Sequence, residues 1–161
     1  MYAKIGYRSP FGELTLAADE RGLVALTIAG QKYEQEHLPA TVQERETPVL
    51  AAARAWLDRY FAGENPLPDE LPLVPRGTDF QSAVWRELTR IPSGETVTYG
   101  ELAEKLRTSP RAVGAAVGRN PISIIVPCHR VVGKDGSLTG YAGGVEKKQW
   151  LLEHELVIKN L

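Results

Sequence analysis

The sequence predicts two parts. One is an α/β N-terminal subdomain with a small antiparallel sheet and a helix, and the other is a mainly α C-terminal subdomain with a helix-turn-helix of winged-helix type. Three observations predict this fold class: apolar residues alternate in two early segments, four prolines then interrupt the chain, and three helix-start signals follow them. The 161 residues, 43% of them apolar, suffice for one domain or for two small ones that share a core.

The first part begins with a predicted hairpin and continues into a helix. Apolar residues alternate at 14–18 and again at 24–28, and the connection 19–22 ends in a glycine, which is typical of a β-hairpin. Pro48 then opens a pattern of apolar residues at three- and four-residue spacing that ends at Gly63. We therefore expect two strands followed by one amphipathic helix.

A proline-rich segment separates the two predicted parts. Proline lacks a backbone N–H and fixes φ, so it forbids a regular helix and disfavours a central strand. We therefore predict an extended linker over about residues 63–77, an N-terminal subdomain at 1–75 and a C-terminal subdomain at 76–161. The prolines of this segment are Pro66, Pro68, Pro72 and Pro75.

The second part carries three helix-start signals. Capping boxes at Thr78–Gln81 and Thr98–Glu101, and Ser109 followed by Pro110, predict three helices. The last two are short and are joined by Arg107-Thr108, which is the helix-turn-helix pattern. The buried face of the first helix is expected to consist of Phe80, Val84, Leu88 and Ile91.

The second helix of that pair is poor in side chains that can read a base sequence. In its run Arg-Ala-Val-Gly-Ala-Ala-Val-Gly, only Arg111 is long and polar, whereas a major-groove reader needs several such side chains. A helix of small residues can pack closely on another helix or enter the DNA minor groove, which is about 6 Å wide. On DNA, backbone contacts from Lys105, Arg107 and Arg119 would dominate, with little sequence preference. This argues against a transcription factor.

An apolar run leads from the helix pair to the single cysteine. Asn120-Pro121 ends the third predicted helix, and residues 122–126 predict a buried strand or extended run. Pro127-Cys128-His129-Arg130 follows. A glycine-rich loop over 133–144 then leads to a last helix.

Charge is distributed unevenly, although the net charge is only −1. Residues 1–75 hold 7 Lys and Arg against 11 Asp and Glu, a balance of −4, whereas residues 76–161 hold 12 against 9, a balance of +3. Six cations from Lys105 to Lys134 have no acidic residue between them in the sequence. This pattern indicates either a polyanionic partner or a solvated basic face.

Composition also bounds the cellular context. Cys128 is the only cysteine, which excludes an intramolecular disulfide and a multi-cysteine zinc site. No apolar run approaches the roughly 20 residues of a membrane span, and Met1 to Pro10 is not a signal peptide. We therefore expect a cytoplasmic protein with a reduced thiol and no membrane partner.

Cys128 and His129 form the candidate chemical pair. A thiol, with an unperturbed pKa of about 8.5, needs a positive charge or a base to ionise, and His129 can be that base. In an extended segment the two side chains would point to opposite faces, so a bridging water would be needed. A buried, unreactive cysteine is the alternative. The sequence leaves four carboxylates open as partners of His129, namely Asp135, Glu146, Glu153 and Glu155.

An ordered series of motifs resembles the O6-alkylguanine-DNA alkyltransferase family, the methylated-DNA–protein-cysteine methyltransferases. The resemblance spans about residues 76–157 and, more loosely, the N-terminal half. The matching motifs are Arg76-Gly77-Thr78-Asp79-Phe80-Gln81, Thr98-Tyr99-Gly100, Arg111-Ala112-Val113-Gly114, Asn120-Pro121, Pro127-Cys128-His129-Arg130-Val131, Gly140-Tyr141-Ala142-Gly143-Gly144, Lys147, Trp150-Leu151-Leu152 and Glu155. The resemblance implies direct-reversal DNA repair by irreversible, single-turnover transfer of the alkyl group of O6-alkylguanine, and more weakly of O4-alkylthymine, in duplex DNA to the protein's own cysteine.

The resemblance implies a catalytic role for each matching residue. Cys128 would be the nucleophile, His129 its base acting through water, and Glu155 the carboxylate that orients His129. Tyr141 would donate a hydrogen bond to the departing guanine. Asn120 would hold the turn beneath the active-site loop.

Contacts with DNA are implied in the same way. Arg111 would enter the base stack in place of the flipped nucleotide, and Tyr99 would lie against the target's 3′ phosphate. Gly114 and Ala115 would let the helix enter the minor groove, with Lys105, Arg107 and Arg119 on the DNA backbone. The base pocket would be formed by Cys128, Val131, Tyr141 and Ala142.

The resemblance implies no cofactor, because the damaged DNA supplies the alkyl group. We expect no metal either, since the N-terminal half, where some relatives bind zinc, holds no cysteine and only His37. We expect a monomer that binds double-stranded DNA. The alternative is a non-catalytic, lesion-binding or architectural DNA-binding module. Arg130, beside the cysteine and histidine, has either a role in the chemistry or a structural role in an ion pair.

Overall fold

Contacts divide the chain into two units in the computed structural model, which describes residues 1–160. The first unit consists of Met1–Arg76 with Pro121–Ile125, and the second of Gly77–Asn120 with the chain from Val126 onward. The segment 121–125 thus belongs to the first unit, although it lies within the second predicted subdomain. The predicted fold class is confirmed: a sheet with helices forms one unit, and a largely helical unit contains the helix-turn-helix.

A four-stranded sheet of order β3-β2-β1-β4 forms the base of the first unit. Strands β1 (Ala3–Ser9), β2 (Gly12–Ala18) and β3 (Leu23–Ile28) are antiparallel, which confirms the predicted hairpin as β2–β3. Strand β4 (Gln43–Glu44) pairs with β1 in parallel, so the sheet predicted as antiparallel is mixed. The sequence did not predict β4, because two residues are too few to show the alternation of apolar and polar residues that identifies a strand.

Two helices complete the first unit. Helix α1 (Glu34–His37) is a single turn, and α2 (Pro48–Phe61) is the helix predicted from Pro48. The Thr47 side chain caps α2 by accepting a hydrogen bond from the Leu50 N–H at 3.3 Å. Helix α2 packs against β1, β2 and β3. Its buried residues are Leu50, Ala53, Trp56, Leu57 and Tyr60.

The proline-rich segment is more ordered than the predicted extended linker. It contains one 3-10 turn, Pro68–Glu70. The Leu23 N–H donates to the Pro72 carbonyl at 2.8 Å, and the Val74 N–H donates to the Leu23 carbonyl at 2.8 Å. Most of the segment lies outside helices and strands, but at 72–74 it pairs with β3, because a proline that cannot donate still offers its carbonyl to an edge strand.

Four helices and a short parallel strand pair build the second unit. Both predicted capping boxes form: Thr78 and Gln81 exchange hydrogen bonds at 2.9 and 3.1 Å, and Thr98 and Glu101 do so at 3.1 and 3.0 Å. The elements are α3 (Asp79–Leu88), β5 (Val97–Thr98), α4 (Tyr99–Leu106), α5 (Pro110–Gly118), β6 (Val131–Val132) and α6 (Val145–Lys159).

The predicted helix-turn-helix is confirmed as α4 and α5. Arg107, the residue after α4, has φ 56°, and this left-handed conformation turns the chain toward α5. The Ser109 side chain caps α5 by accepting a hydrogen bond from the Ala112 N–H at 3.1 Å. No helix among residues 1–160 combines the length and the apolar character of a membrane span.

Two predictions from apolar pattern are wrong. Phe80 was expected in the buried face of α3, but it lies in the first turn of the helix and is 38% exposed, whereas Val84 and Leu88 are fully buried. Residues 122–126 are buried, as expected, but form turns rather than a strand. Ile124 has φ 72°, and Ile122 makes a single bridge with Leu26.

Candidate active site around the single cysteine

Cys128 lies in a buried 3-10 turn, Cys128–Arg130, directly before β6. The segment was expected to be extended, but a 3-10 turn has three residues per turn, so successive side chains point in three directions about 120° apart. The Cys128 N–H donates to the Val126 carbonyl at 2.8 Å, and the Cys128 carbonyl accepts from the Val131 N–H. The turn therefore directs Cys128, His129 and Arg130 toward different partners.

His129 contacts Glu155 in the interior of the second unit. His129 Nε2 lies 2.6 Å from Glu155 Oε2, and neither side chain is exposed. Of the four carboxylates that the sequence left open, Glu155 on α6 is the one bonded to His129. Asp135 instead accepts the Ser137 N–H at 3.0 Å, and Glu153 accepts from Gln149 at 2.9 Å.

Arg130 binds the same carboxylate from the other side. Its Nε donates to Glu155 Oε1 at 2.9 Å and its Nη2 donates to Glu155 Oε2 at 3.0 Å, which is a bidentate ion pair. Its Nη1 donates to the Ile91 carbonyl at 2.6 Å. The ion pair considered for Arg130 in the sequence is thus present, and it belongs to the His129 network.

The other ring nitrogen of His129 is buried without a partner among the described residues. Nδ1 has no hydrogen-bonding group of residues 1–160 within reach, so a direct Cys128–His129 hydrogen bond is absent. Burial lowers the pKa of His129, with Arg130 and Lys148 acting in the same direction and Glu155 opposing them. Burial would raise the pKa of Glu155, but His129 and Arg130 outweigh it and hold the pKa well below its usual range. The pair is therefore a neutral imidazole beside a carboxylate.

The environment of the thiol contains opposing influences. Cys128 is 6% exposed, and burial raises the pKa of the thiol above its ordinary value. A hydrogen bond with Asn120 and the positive charge of Lys148 act in the opposite direction. Asn120 is itself buried and donates from Nδ2 to the Val126 carbonyl at 2.9 Å. It thus connects the end of α5 to the backbone that precedes the cysteine turn.

Lys148 is a residue of the site that the sequence prediction missed. The resemblance drew attention to Lys147, but Lys147 is half-buried and Lys148 is fully buried. Lys148 Nζ donates to the Thr139 carbonyl at 2.8 Å and lies 5.9 Å from the centre of the Tyr99 ring. Burial lowers its pKa, and the neighbouring Cys128 opposes that shift. Its spacing of seven from Glu155 places both on one face of α6, which is the signal in the sequence that could have found it.

The predicted base-pocket residues lie on the turn and on the loop that follows it. Val131 is fully buried in β6, whereas Tyr141 and Ala142 are half-buried in the loop before α6. Tyr99, expected at a phosphate, is half-buried, and a Cβ on Gly114 of α5 would lie 3.8 Å from its ring. Burial raises the pKa of Tyr99, a hydrogen bond with Thr139 opposes this, and the nearby Cys128 adds to it. Tyr99 is therefore close both to Gly114 of α5 and to Cys128.

The predicted DNA-contacting residues cluster on the helix-turn-helix. Arg107, Arg111, Ala115 and Arg119 are exposed on or beside α5. Lys105 is exposed as well, but its Nζ lies 2.9 Å from Glu87 Oε2. At least two of the six cations from Lys105 to Lys134 are therefore compensated, Lys105 by Glu87 and Arg130 by Glu155. The prediction of an uncompensated run is wrong for these two, because their acidic partners come from distant parts of the sequence.

Two family models match the chain. Residues 79–157 match the DNA-binding domain of 6-O-methylguanine DNA methyltransferase, and residues 2–75 match its ribonuclease-like domain. The two matches together cover nearly the whole sequence.

Similar proteins carry a consistent name. A methylated-DNA–protein-cysteine methyltransferase of Methanosarcina acetivorans is 47% identical over 157 residues, which cover 96% of this chain and 98% of that protein. A methylated-DNA–protein-cysteine methyltransferase of Haemophilus influenzae is 43% identical over 153 residues, which cover 94% of this chain and 84% of that protein. Among solved structures, Mycobacterium tuberculosis OGT in complex with DNA is 42% identical with a TM-score of 0.87, over 97% of this chain and 94% of that one. The O6-methylguanine-DNA methyltransferase of Pyrococcus kodakaraensis is 28% identical with a TM-score of 0.69, over 96% and 99%.

Proposed function

The chain belongs to the 6-O-methylguanine DNA methyltransferase family, so its activity is direct reversal of DNA alkylation by transfer of the alkyl group to a cysteine, and we propose that this cysteine is Cys128. The substrate is O6-alkylguanine, and more weakly O4-alkylthymine, in double-stranded DNA. One observation carries the proposal: the only cysteine of the chain lies in a buried turn beside the His129–Glu155 pair.

The proton of the thiol leaves through His129. In the neutral ring, Nε2 carries the proton and donates it in a hydrogen bond to Glu155. Nδ1 is therefore the nitrogen that can accept a proton. A buried polar atom without a protein partner is normally satisfied by water. One water molecule between Cys128 and His129 Nδ1 therefore relays the proton. The resulting imidazolium is stabilised by Glu155.

The alkyl group then moves by a single displacement. The Sγ lone pair forms a bond to the alkyl carbon while the carbon–O6 bond breaks, and its electron pair stays on the guanine. The guanine regains one proton, which balances the proton taken up by His129, and Tyr141 donates a hydrogen bond to the departing base. The product is a thioether with no low-energy route back to the thiolate, so each molecule acts once.

Charge near the sulfur supports this step. Burial alone would disfavour a thiolate, because it removes the charged form from water. Lys148, also buried, and the hydrogen bond from Asn120 oppose that effect. The thiol thus stays protonated at rest and ionises when His129 accepts its proton.

The helix-turn-helix is the DNA-binding surface of the proposal. The target base is inaccessible within a stacked duplex and must be flipped out, which costs a few kcal/mol and least where pairing is already weakened. Arg111 is exposed in the first turn of α5 and can occupy the gap in the stack. The small residues Gly114 and Ala115 permit close approach in the minor groove, and Arg107 and Arg119 contact phosphates. We expect a cytoplasmic monomer that binds with little sequence preference.

Substitution of the cysteine tests the proposal. We expect Cys128→Ala to abolish transfer from a methylated duplex while leaving its affinity for that duplex within a factor of about two, because the side chain is small and buried. Single-turnover assays and binding by fluorescence anisotropy measure both. Unchanged transfer would show that another atom accepts the alkyl group. If the wild-type protein binds the lesion and transfers nothing, it is a lesion-binding module instead.

A further inference from the structure

Arg130 has more hydrogen bonds to the His129 network than an ion pair alone requires. Its side chain is 8% exposed, and three of its nitrogens donate at 2.6 to 3.0 Å, two to Glu155 and one to the Ile91 carbonyl. Both oxygens of Glu155 are thereby occupied by Arg130, and Oε2 is shared with His129. In the proposed proton transfer, His129 accepts the proton and Glu155 stabilises the imidazolium, whereas Arg130 has no role yet.

The bidentate contact between Arg130 and Glu155 determines which atoms of Glu155 and His129 can carry a proton. A carboxylate can only accept hydrogen bonds, whereas a protonated carboxyl group has one O–H to donate. With a guanidinium on both of its oxygens, Glu155 stays a carboxylate, so the hydrogen between it and His129 has to come from Nε2. A neutral imidazole carries one proton, and Nδ1 is then bare.

We propose that Arg130 is a positioning residue for alkyl transfer, which fixes His129 in the Nε2–H tautomer by holding Glu155 as a bidentate carboxylate. This inference rests on the proposed function, in which His129 Nδ1 accepts the proton of Cys128. The opposite tautomer would carry its N–H on Nδ1, which could then accept no proton. A lysine cannot replace Arg130 in this role, because a single ammonium cannot bind both carboxylate oxygens in the plane.

The other charged groups around His129 do not perform this task. From α6, Glu155 contacts His129 and Lys148 acts on it through its charge. Arg130 and the Cys128 thiol belong to the same turn as His129. Ile91, which follows α3, offers Arg130 only a backbone carbonyl. Lys148 adds positive charge, but it donates to the carbonyls of Thr139 and Gly140. Arg130 thus contacts both oxygens of the carboxylate directly, whereas Lys148 acts on His129 only through its charge.

The experiment compares the wild-type protein with Arg130→Lys and Arg130→Met. Ring ¹⁵N shifts of labelled histidine report the His129 tautomer, with His129→Asn to assign the signal among the three histidines. Single-turnover rates with a methylated duplex, measured from acid to alkaline pH, report the chemistry. We expect a neutral Nε2–H ring in the wild type and a mixture of tautomers in both variants. We expect transfer to slow by about 10- to 100-fold, with unchanged affinity for DNA.

The matched control is Arg90→Met. Arg90 is also an arginine of the second unit paired with a glutamate, Glu87, but it lies outside the site, and we expect wild-type rates and tautomer. A wild-type His129 with its proton on Nδ1 would overturn the inference, and so would Arg130→Lys with the wild-type rate and tautomer. A wild-type ring with its proton on Nδ1 overturns the inference even if both Arg130 variants fail to fold. If the wild type transfers no alkyl group to Cys128, the proposed function fails instead.

Discussion

At the scale of single residues, the site depends on charges placed where water is excluded. Glu155 and Lys148 are fully buried on one face of α6, and they act on His129 and Cys128. A charge that is buried without a partner costs several kcal/mol, so each of these groups has specific contacts. Glu155 has His129 and Arg130, and Lys148 has the Thr139 carbonyl and the nearby thiol.

Lys148 leads to a prediction about pH. Lys148→Met keeps the length of the side chain but removes the charge that lowers the pKa of the Cys128 thiol. An opposite charge nearby shifts a pKa by about 1–3 units, so we expect the variant to transfer at least about 10-fold more slowly at neutral pH. The difference from the wild type should disappear at alkaline pH, where the thiol ionises in both proteins. Single-turnover rates across pH measure this.

Lys159→Met is the control for that measurement. Lys159 lies at the other end of the same helix and is exposed, so the variant should keep the wild-type profile. A Lys148→Met profile that overlays the wild type at every pH would show that the charge does not act on the sulfur.

The sequence identified these residues only in part. The adjacent Cys128 and His129 are recognisable as a chemical pair, but four carboxylates were equally possible partners by spacing alone. Glu155 and Lys148 are charged residues on a helix, where exposure is the default, and only packing of α6 against the cysteine turn makes them buried. The resemblance to a family supplied Glu155, and nothing supplied Lys148.

At the scale of elements, α5 is a helix of mostly small residues with a glycine in its interior. Gly114 lies in its middle, where glycine costs about 1 kcal/mol relative to alanine. A Cβ at this position would meet the Tyr99 ring at 3.8 to 3.9 Å, which is ordinary contact. Nothing in the described fold therefore requires glycine here, which is consistent with a constraint from close approach to DNA.

Gly114→Ala should separate stability from binding. We expect the variant to be more stable by about 1 kcal/mol, because alanine favours the helix. We expect its affinity for duplex DNA to fall by about tenfold, or about 1.4 kcal/mol, because the methyl group keeps α5 from the groove. Chemical denaturation and fluorescence anisotropy measure the two effects. A variant that is more stable and binds DNA as tightly as the wild type would contradict the proposed approach of α5.

Elements with local signals were predictable, and elements fixed by distant contacts were not. Both capping boxes, the Ser109 cap and the β2–β3 hairpin depend on residues a few positions apart, and all were identified. Strand β4 and the turns at 122–126 depend on pairing with β1 and β3, far away in the sequence. The paired stretch at 72–74 was missed for the same reason.

At the scale of the whole molecule, opposite charge balances fall on the two halves of the sequence. Residues 1–75 have a balance of −4, and the part that carries the helix-turn-helix has +3. Binding to phosphates releases counterions, so a basic surface supplies affinity without sequence preference. That property suits repair of a lesion that can occur in any sequence.

The number of alkyl groups accepted per chain tests the central claim most directly. The protein is incubated with excess methylated duplex, and intact mass is followed by peptide mapping. We predict one methyl group per chain, located on Cys128, and no further transfer at longer times. More than one methyl group removed per chain, or a methyl group on any other residue, would contradict the sacrificial role of this cysteine.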